Sequence, residues 1–164
     1  MAEESTVIID HPNRDKAASK ATRLVVLALL LVSVVLMLLV TAGGWDQLQG
    51  TKAVLIGYEL VYLVMAVYVA RWNRGVLPVA AALAIILAIF GAVAAPGWFD
   101  RDHAGFAPSS IDAATLGAIC VILIPVQVLL IAFAMRGFGQ AWNVEVERNP
   151  VPRAPRPGAH PHLA

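Results

Sequence analysis

The chain of 164 residues contains one cysteine, four histidines and only 14% charged residues. Each scarcity removes a class of chemistry. A lone Cys120 forms no intrachain disulfide and no Cys-x-x-Cys redox pair, so membrane thiol oxidoreductases built on four helices, which need several cysteines, are excluded. Within an apolar run it reads as a small packing residue. His11, His103, His160 and His162 all fall outside the long apolar runs. Haem ligation by two histidines between membrane helices is therefore excluded, as is an intramembrane Ser–His pair. The sequence has no Walker motif, no Gly-rich dinucleotide fingerprint and no HExxH. Its polar segments are too short to fold a catalytic domain. The expectation is a protein that is not an enzyme, with no cofactor, no metal and no nucleic-acid partner.

What the chain does have is apolar length. Four runs, Leu24–Gly44, Ala53–Ala70, Val76–Ala95 and Ala113–Met135, each approach the ~20 residues that cross a ~30 Å hydrocarbon core. They are apolar all round, whereas helices of soluble bundles keep a polar face. The fold class expected is an all-α integral membrane protein, with four transmembrane helices in an up-down bundle. The hydrophilic leader of residues 1–23 and the length of the first run mark that run as an uncleaved anchor.

Charge sets the orientation. Arg14, Lys16, Lys20 and Arg23 precede the first run, Arg71 and Arg74 lie between the second and third, and Arg136, Arg148, Arg153 and Arg156 follow the fourth. Only Lys52 and Arg101 fall in the other two links. This bias predicts a multi-pass plasma (inner) membrane protein with both termini cytoplasmic, and it argues against dual topology. The formal net charge of +1 says little about partners, because the charges are segregated along the chain. Nine Arg against three Lys, with abundant Ala, Val, Gly and Pro, suggest a GC-rich bacterial genome.

The parts divide naturally: a cytoplasmic arm (1–23), the transmembrane domain (24–135), an inner-interface segment (136–148) and a Pro-rich cytoplasmic tail (149–164). Ser5 to Ile9 and Val144 to Glu147 lean towards extended structure, and Asp15 to Arg23 suit a helix running into the membrane. Helices joined by links as short as Arg71 to Gly75 are expected to be antiparallel neighbours. Ser109-x-x-Asp112 reads as a capping box for the fourth helix. Phe138 and Trp142, four apart, suit a short helical extension at the inner surface. Trp45, Trp72, Trp98 and Trp142 are placed as interface anchors. The tail carries a P-x-x-P spacing at Pro152 to Pro155, which suits extended conformation.

Glu59 is the sharpest single feature. A carboxylate about 9 Å below the outer end of the second helix costs on the order of 2.5–3.5 kcal/mol to insert, so it needs a partner. It is either held within the bundle or against another subunit, or it binds a proton or cation for transport. Tyr62 and Tyr58 offer hydroxyls, and Gln127 lies too far towards the inner side to reach it. In the third helix Ala80, Ala84, Ala88 and Ala92, with Gly91, form a small-residue packing face, while Leu83, Ile86, Leu87 and Phe90 take the other side. The first helix, almost all Leu and Val, is expected to face lipid or a greasy partner. Pro125 interrupts the fourth helix and permits a kink; a structural kink satisfied by neighbouring groups is the favoured reading, and a polar notch with Gln127 the alternative. Asp100, Asp102 and His103 read as a solvated charged loop rather than a metal site.

The expected role is a non-catalytic accessory or assembly subunit of a larger membrane complex, with a bacterial respiratory-chain complex as first host. Membrane lipid and other integral subunits are the expected partners, and a small-molecule substrate is not. The alternatives are a small homo-oligomeric proton- or cation-coupled transporter using Glu59, or a tetraspan scaffold using its Pro-rich tail.

Overall fold

A computed structural model describes residues 8–148; the start of the N-terminal arm and the Pro-rich tail lie outside them. The described elements are β1 (Ile8–Asp10), α1 (Pro12–Asp15), α2 (Ala17–Gly43), α3 (Lys52–Ala70), α4 (Leu77–Phe99), α5 (Ala113–Gly139) and β2 (Val146–Arg148). The regular structure of the described residues is therefore helical apart from one three-residue ladder. The four long helices are each long and apolar enough to cross a membrane.

Helix ends depart from the apolar runs for local reasons. α2 starts at Ala17, because nothing between Lys16 and Leu24 breaks a helix. α4 continues through Pro96 to Phe99. Proline there removes one backbone donor near the helix end, and its carbonyl still accepts from Asp100 N at 2.9 Å. α5 opens on Asp112, whose carboxylate accepts from Thr115 N at 3.1 Å. The cap is thus Asp112 itself, and Ser109 instead donates to the Ile111 carbonyl. α5 absorbs the expected inner extension as far as Gly139. Ala141, at φ +50°, then turns the chain and separates Trp142 from Phe138.

Helix packing follows where small residues sit. α4 and α5 make the most extensive backbone approach, and they are close at Gly91, where a Cβ would stand 3.0 Å from the Cys120 carbonyl oxygen. α2 packs against both α3 and α5 and buries Val26, Leu30, Val34 and Met37. Only part of the first apolar helix is therefore left to face lipid or a greasy partner. Its Leu and Val positions divide into a buried stripe and an exposed remainder, a division that composition alone does not reveal.

The small-residue face of α4 also differs from a strict four-residue repeat. Ala80, Ala84 and Gly91 are buried, Ala88 is half-buried, and Ala92 is exposed. Each four-residue step overshoots a 3.6-residue turn by about 40°, so Ala92 has drifted about 120° from Ala80. Leu87, expected on the other side, takes the buried place between Ala84 and Gly91.

The expectation that short links join neighbours fails at one place. α3 and α4, connected through the tight turn at Trp72 (φ +63°) and Asn73, hardly approach each other. The small face of α4 is used against α5, and the buried side chains of α3 go mostly to α2. A cleft remains between α3 and α4.

The described ends of the chain meet at one end of the four helices. β1 and β2 pair antiparallel, with Asp10 opposite Val146. Arg14 Nε donates to the Trp142 carbonyl at 3.1 Å, and Asn13 Nδ2 to that of Ala141 at 3.0 Å. Gln140 Nε2 donates to Thr22 Oγ1 at 3.0 Å. Arg23 Nε donates to the Val69 carbonyl at 3.3 Å, and its Nη2 to that of Ala70. The guanidinium lies 4.4 Å from the Trp72 ring, and Trp72 meets Trp142 edge-on at 5.5 Å. A cation on the last carbonyls of α3 complements the helix dipole. At the opposite end the Gly43 carbonyl accepts from Ser110 N at 3.0 Å.

Candidate functional site

Besides Ser19 and Thr22, buried at the end where the chain ends meet, two groups of polar side chains are buried among the described helices. The first is Thr41 on α2 with Glu59 on α3. Thr41 Oγ1 donates to Glu59 Oε1 at 2.8 Å, and both residues are buried. The partner the carboxylate requires is therefore a hydroxyl on a neighbouring helix of the same chain.

The second group links three helices in one direction. Tyr62 OH on α3 donates to Gln127 Oε1 on α5 at 2.9 Å. Gln127 Nε2 donates to Ser33 Oγ on α2 at 2.8 Å. Ser33 Oγ donates in turn to the Leu29 carbonyl at 2.7 Å, so the relay ends on backbone within its own helix. Tyr62, Gln127 and Ser33 are fully buried. Tyr62 is thus engaged away from Glu59. Tyr58 packs edge-on against Tyr62 and Phe90.

Pro125 and Gln127 do not share a notch, the alternative to a purely structural kink. α5 runs as one helix through Pro125, which is exposed, while Gln127 is buried. Two residues turn the helix about 200°, so the two side chains face opposite ways. The tryptophans divide as well. Trp45 is 47% exposed with the Lys52 ammonium 4.5 Å from its ring, and Trp72 is half-buried. Trp98 and Trp142 are buried against protein. Gly44 makes room for Trp98, since a Cβ there would fall 2.3 Å from the indole.

Ser33, Thr41 and Arg23 escaped the sequence reading as site residues. Their signal was present: Ser33, Met37 and Thr41 recur every fourth residue, and a small polar residue inside a Leu/Val run marks the side that meets protein. Among the described residues no three His, Cys, Asp or Glu side chains converge on a metal position. Only one fully buried side-chain nitrogen or oxygen among them lacks a hydrogen bond, Nδ1 of His11, which lies outside the four long helices.

An apolar cavity of about 400 Å³ opens in the cleft between α3 and α4, walled by Met37, Leu55, Phe90 and Leu123 among others. No protein-family model matches the chain, and neither a curated protein nor a solved structure matches it significantly.

Proposed function

We propose that the chain is a non-catalytic accessory or assembly subunit of a larger membrane complex. In this reading its four helices cross the plasma membrane as an up-down bundle with both termini cytoplasmic. The observation that carries it is the closure of the interior polar groups upon one another. Tyr62, Gln127 and Ser33 form a finished relay and Thr41 engages Glu59. A hydroxyl or amide already committed to a neighbour is poorly placed to act on a substrate, and well placed to hold helices together. The pairing of β1 with β2 supports a common side for the two ends, and the Arg and Lys distribution supports the cytoplasm as that side.

Much of the outer surface of α3 and α4 is apolar, including Leu60, Val64, Ile85, Ile89 and Val93. Such a surface suits lipid or the helices of other integral subunits. A bacterial respiratory-chain complex stays the first host to examine. Purification from native membranes in mild detergent, followed by mass spectrometry, tests the reading: integral membrane partners in fixed ratio are expected. Recovery of a solitary monomer overturns it.

One observation favours a second reading. Glu59 is a buried carboxylate within a membrane-length helix, which a proton- or cation-coupled transporter would use. Glu59→Gln separates the two readings: it abolishes flux at unchanged expression in a transporter, whereas in an accessory subunit any defect appears as loss of co-purifying partners.

A further inference from the structure

We propose that the cleft between α3 and α4 is a lipid site, taking one acyl chain of an anionic phospholipid with its phosphate at Arg101. The inference rests on the helices crossing a bilayer and is separate from whether the chain joins a complex.

Three spaces follow one another along the cleft. At the end bearing Lys52 and Arg101 lies a partly polar pocket of about 430 Å³, lined by Gln47, Gln49, Thr51 and Arg101 together with Leu48 and Trp98 among others. It shares Leu48, Thr51, Ala94 and Trp98 with the apolar cavity of about 400 Å³. That cavity shares Val54 with a groove of about 300 Å³ that reaches Val61 and Leu83. Polarity thus falls from the helix ends inward, the profile of a headgroup above a hydrocarbon chain.

The length fits one leaflet. Thr51 to Val61 spans about 15 Å of helix rise, half of a ~30 Å hydrocarbon core. A chain in this groove therefore ends near the bilayer midplane, as a phospholipid acyl chain does. A long isoprenoid tail would outrun it.

Glycines keep the path open. Gly50 and Gly97 line the polar pocket and Gly57 the groove, and a Cβ at any of them would meet nothing within 4 Å. Gly91, which also lines the apolar cavity, serves close approach to α5 instead, a Cβ there standing 3.0 Å from the Cys120 carbonyl oxygen.

Charge selects the headgroup. Arg101 is the charged side chain lining the polar pocket, and it makes no ion pair among the described residues. Asp46, Asp100, Asp102 and Asp112 belong to the same end and none lines that pocket, though Asp102 and Asp112 border a neighbouring pocket with Arg101, whose guanidinium lies 5.8 Å from the Phe106 ring. A guanidinium at the headgroup level is suited to a phosphate, and the exposed Trp45 ring with Lys52 beside it is suited to the same depth.

The test uses the full chain, delipidated in detergent and titrated with phosphatidylglycerol or phosphatidylcholine under native mass spectrometry. One retained phosphatidylglycerol per chain is expected, in preference to phosphatidylcholine. Arg101→Gln should lower that preference roughly fivefold. Gly57→Leu should reduce retention of both lipids by filling the groove, and because leucine is the better helix former its thermal midpoint should not fall. No retained lipid, equal retention of the two lipids by the unmodified chain, or unchanged retention in Gly57→Leu would overturn the proposal. In native membranes a benzophenone side chain placed at position 57 should crosslink to phospholipid; a crosslink to a polypeptide or to a quinone overturns it. Partner recovery in mild detergent is read separately, so failure here leaves the accessory reading standing.

Discussion

Thr41 and Glu59 join α2 to α3 through one hydrogen bond, hydroxyl to carboxylate, at 2.8 Å. They are 18 residues apart in sequence and meet because α3 folds back along α2, placing a donor at the depth where the carboxylate is buried. The contact makes Glu59 a holding group between helices, and it has measurable consequences.

Thr41→Val removes the donor and leaves the Glu59 oxygen without it. The expected loss is about 0.6–1.7 kcal/mol, the range for interhelical hydrogen bonds in membranes. Thr41→Val combined with Glu59→Leu should cost less than the two single losses summed, because replacing both partners by apolar groups leaves nothing unsatisfied. Thermal or denaturant unfolding in detergent measures the cycle; strict additivity would contradict the contact.

The Tyr62–Gln127–Ser33 relay should behave as a unit. Tyr62→Phe removes only the terminal donor and is expected to cost about 0.6 kcal/mol. Gln127→Ala, which breaks both links and opens a cavity in the core, should cost several times more. If the two variants unfold at the same midpoint, the relay is not holding the three helices.

Gly91 is expected to be the least tolerant glycine in α4. A Cβ there already crowds the Cys120 carbonyl at 3.0 Å, so Gly91→Leu must push α4 from α5 at a cost of about 1–3 kcal/mol or more. Gly97→Ala, beside open space, is expected to be neutral or slightly stabilising. Paired unfolding midpoints decide this, and equal sensitivity at both positions would contradict the packing.

Cysteines at Asp10 and Val146, in a Cys120→Ala background, should form an intramolecular disulfide on mild oxidation. Directly opposed residues of an antiparallel ladder stand about 4.5–5.5 Å apart at Cα, within disulfide reach. Non-reducing electrophoresis with a protease site between the cysteines reads the bond. Its absence would contradict the pairing of β1 with β2.

Hydropathy revealed the four helices because it integrates over a whole turn, and lipid and protein neighbours are equally apolar. For the same reason it could not say which stripe of α2 is buried, nor that Trp98 and Trp142 are buried against protein. The apolar run ends at Ala95, yet α4 continues one turn through Pro96 to Phe99, because a proline removes a single backbone donor without forbidding the helical φ. Glu59 was visible as a costly residue. Thr41 was not, because a threonine in an apolar run carries no signal of its partner until the helices are placed side by side. The cleft between α3 and α4 was hidden by the shortness of their link, which fixes the distance between two helix ends and not the angle between two axes.

Everything proposed depends on the chain crossing the bilayer four times with its two ends on one face. Labelling of single cysteines by a membrane-impermeant thiol reagent, in intact cells and with Cys120 replaced by Ala, tests this most directly. Cysteines at Gly50 and His103 should react from outside, and cysteines at Asp10 and Val146 only after the membrane is opened. Reaction of Asp10 and Val146 cysteines from opposite faces, or of none of the four from outside, would contradict the account.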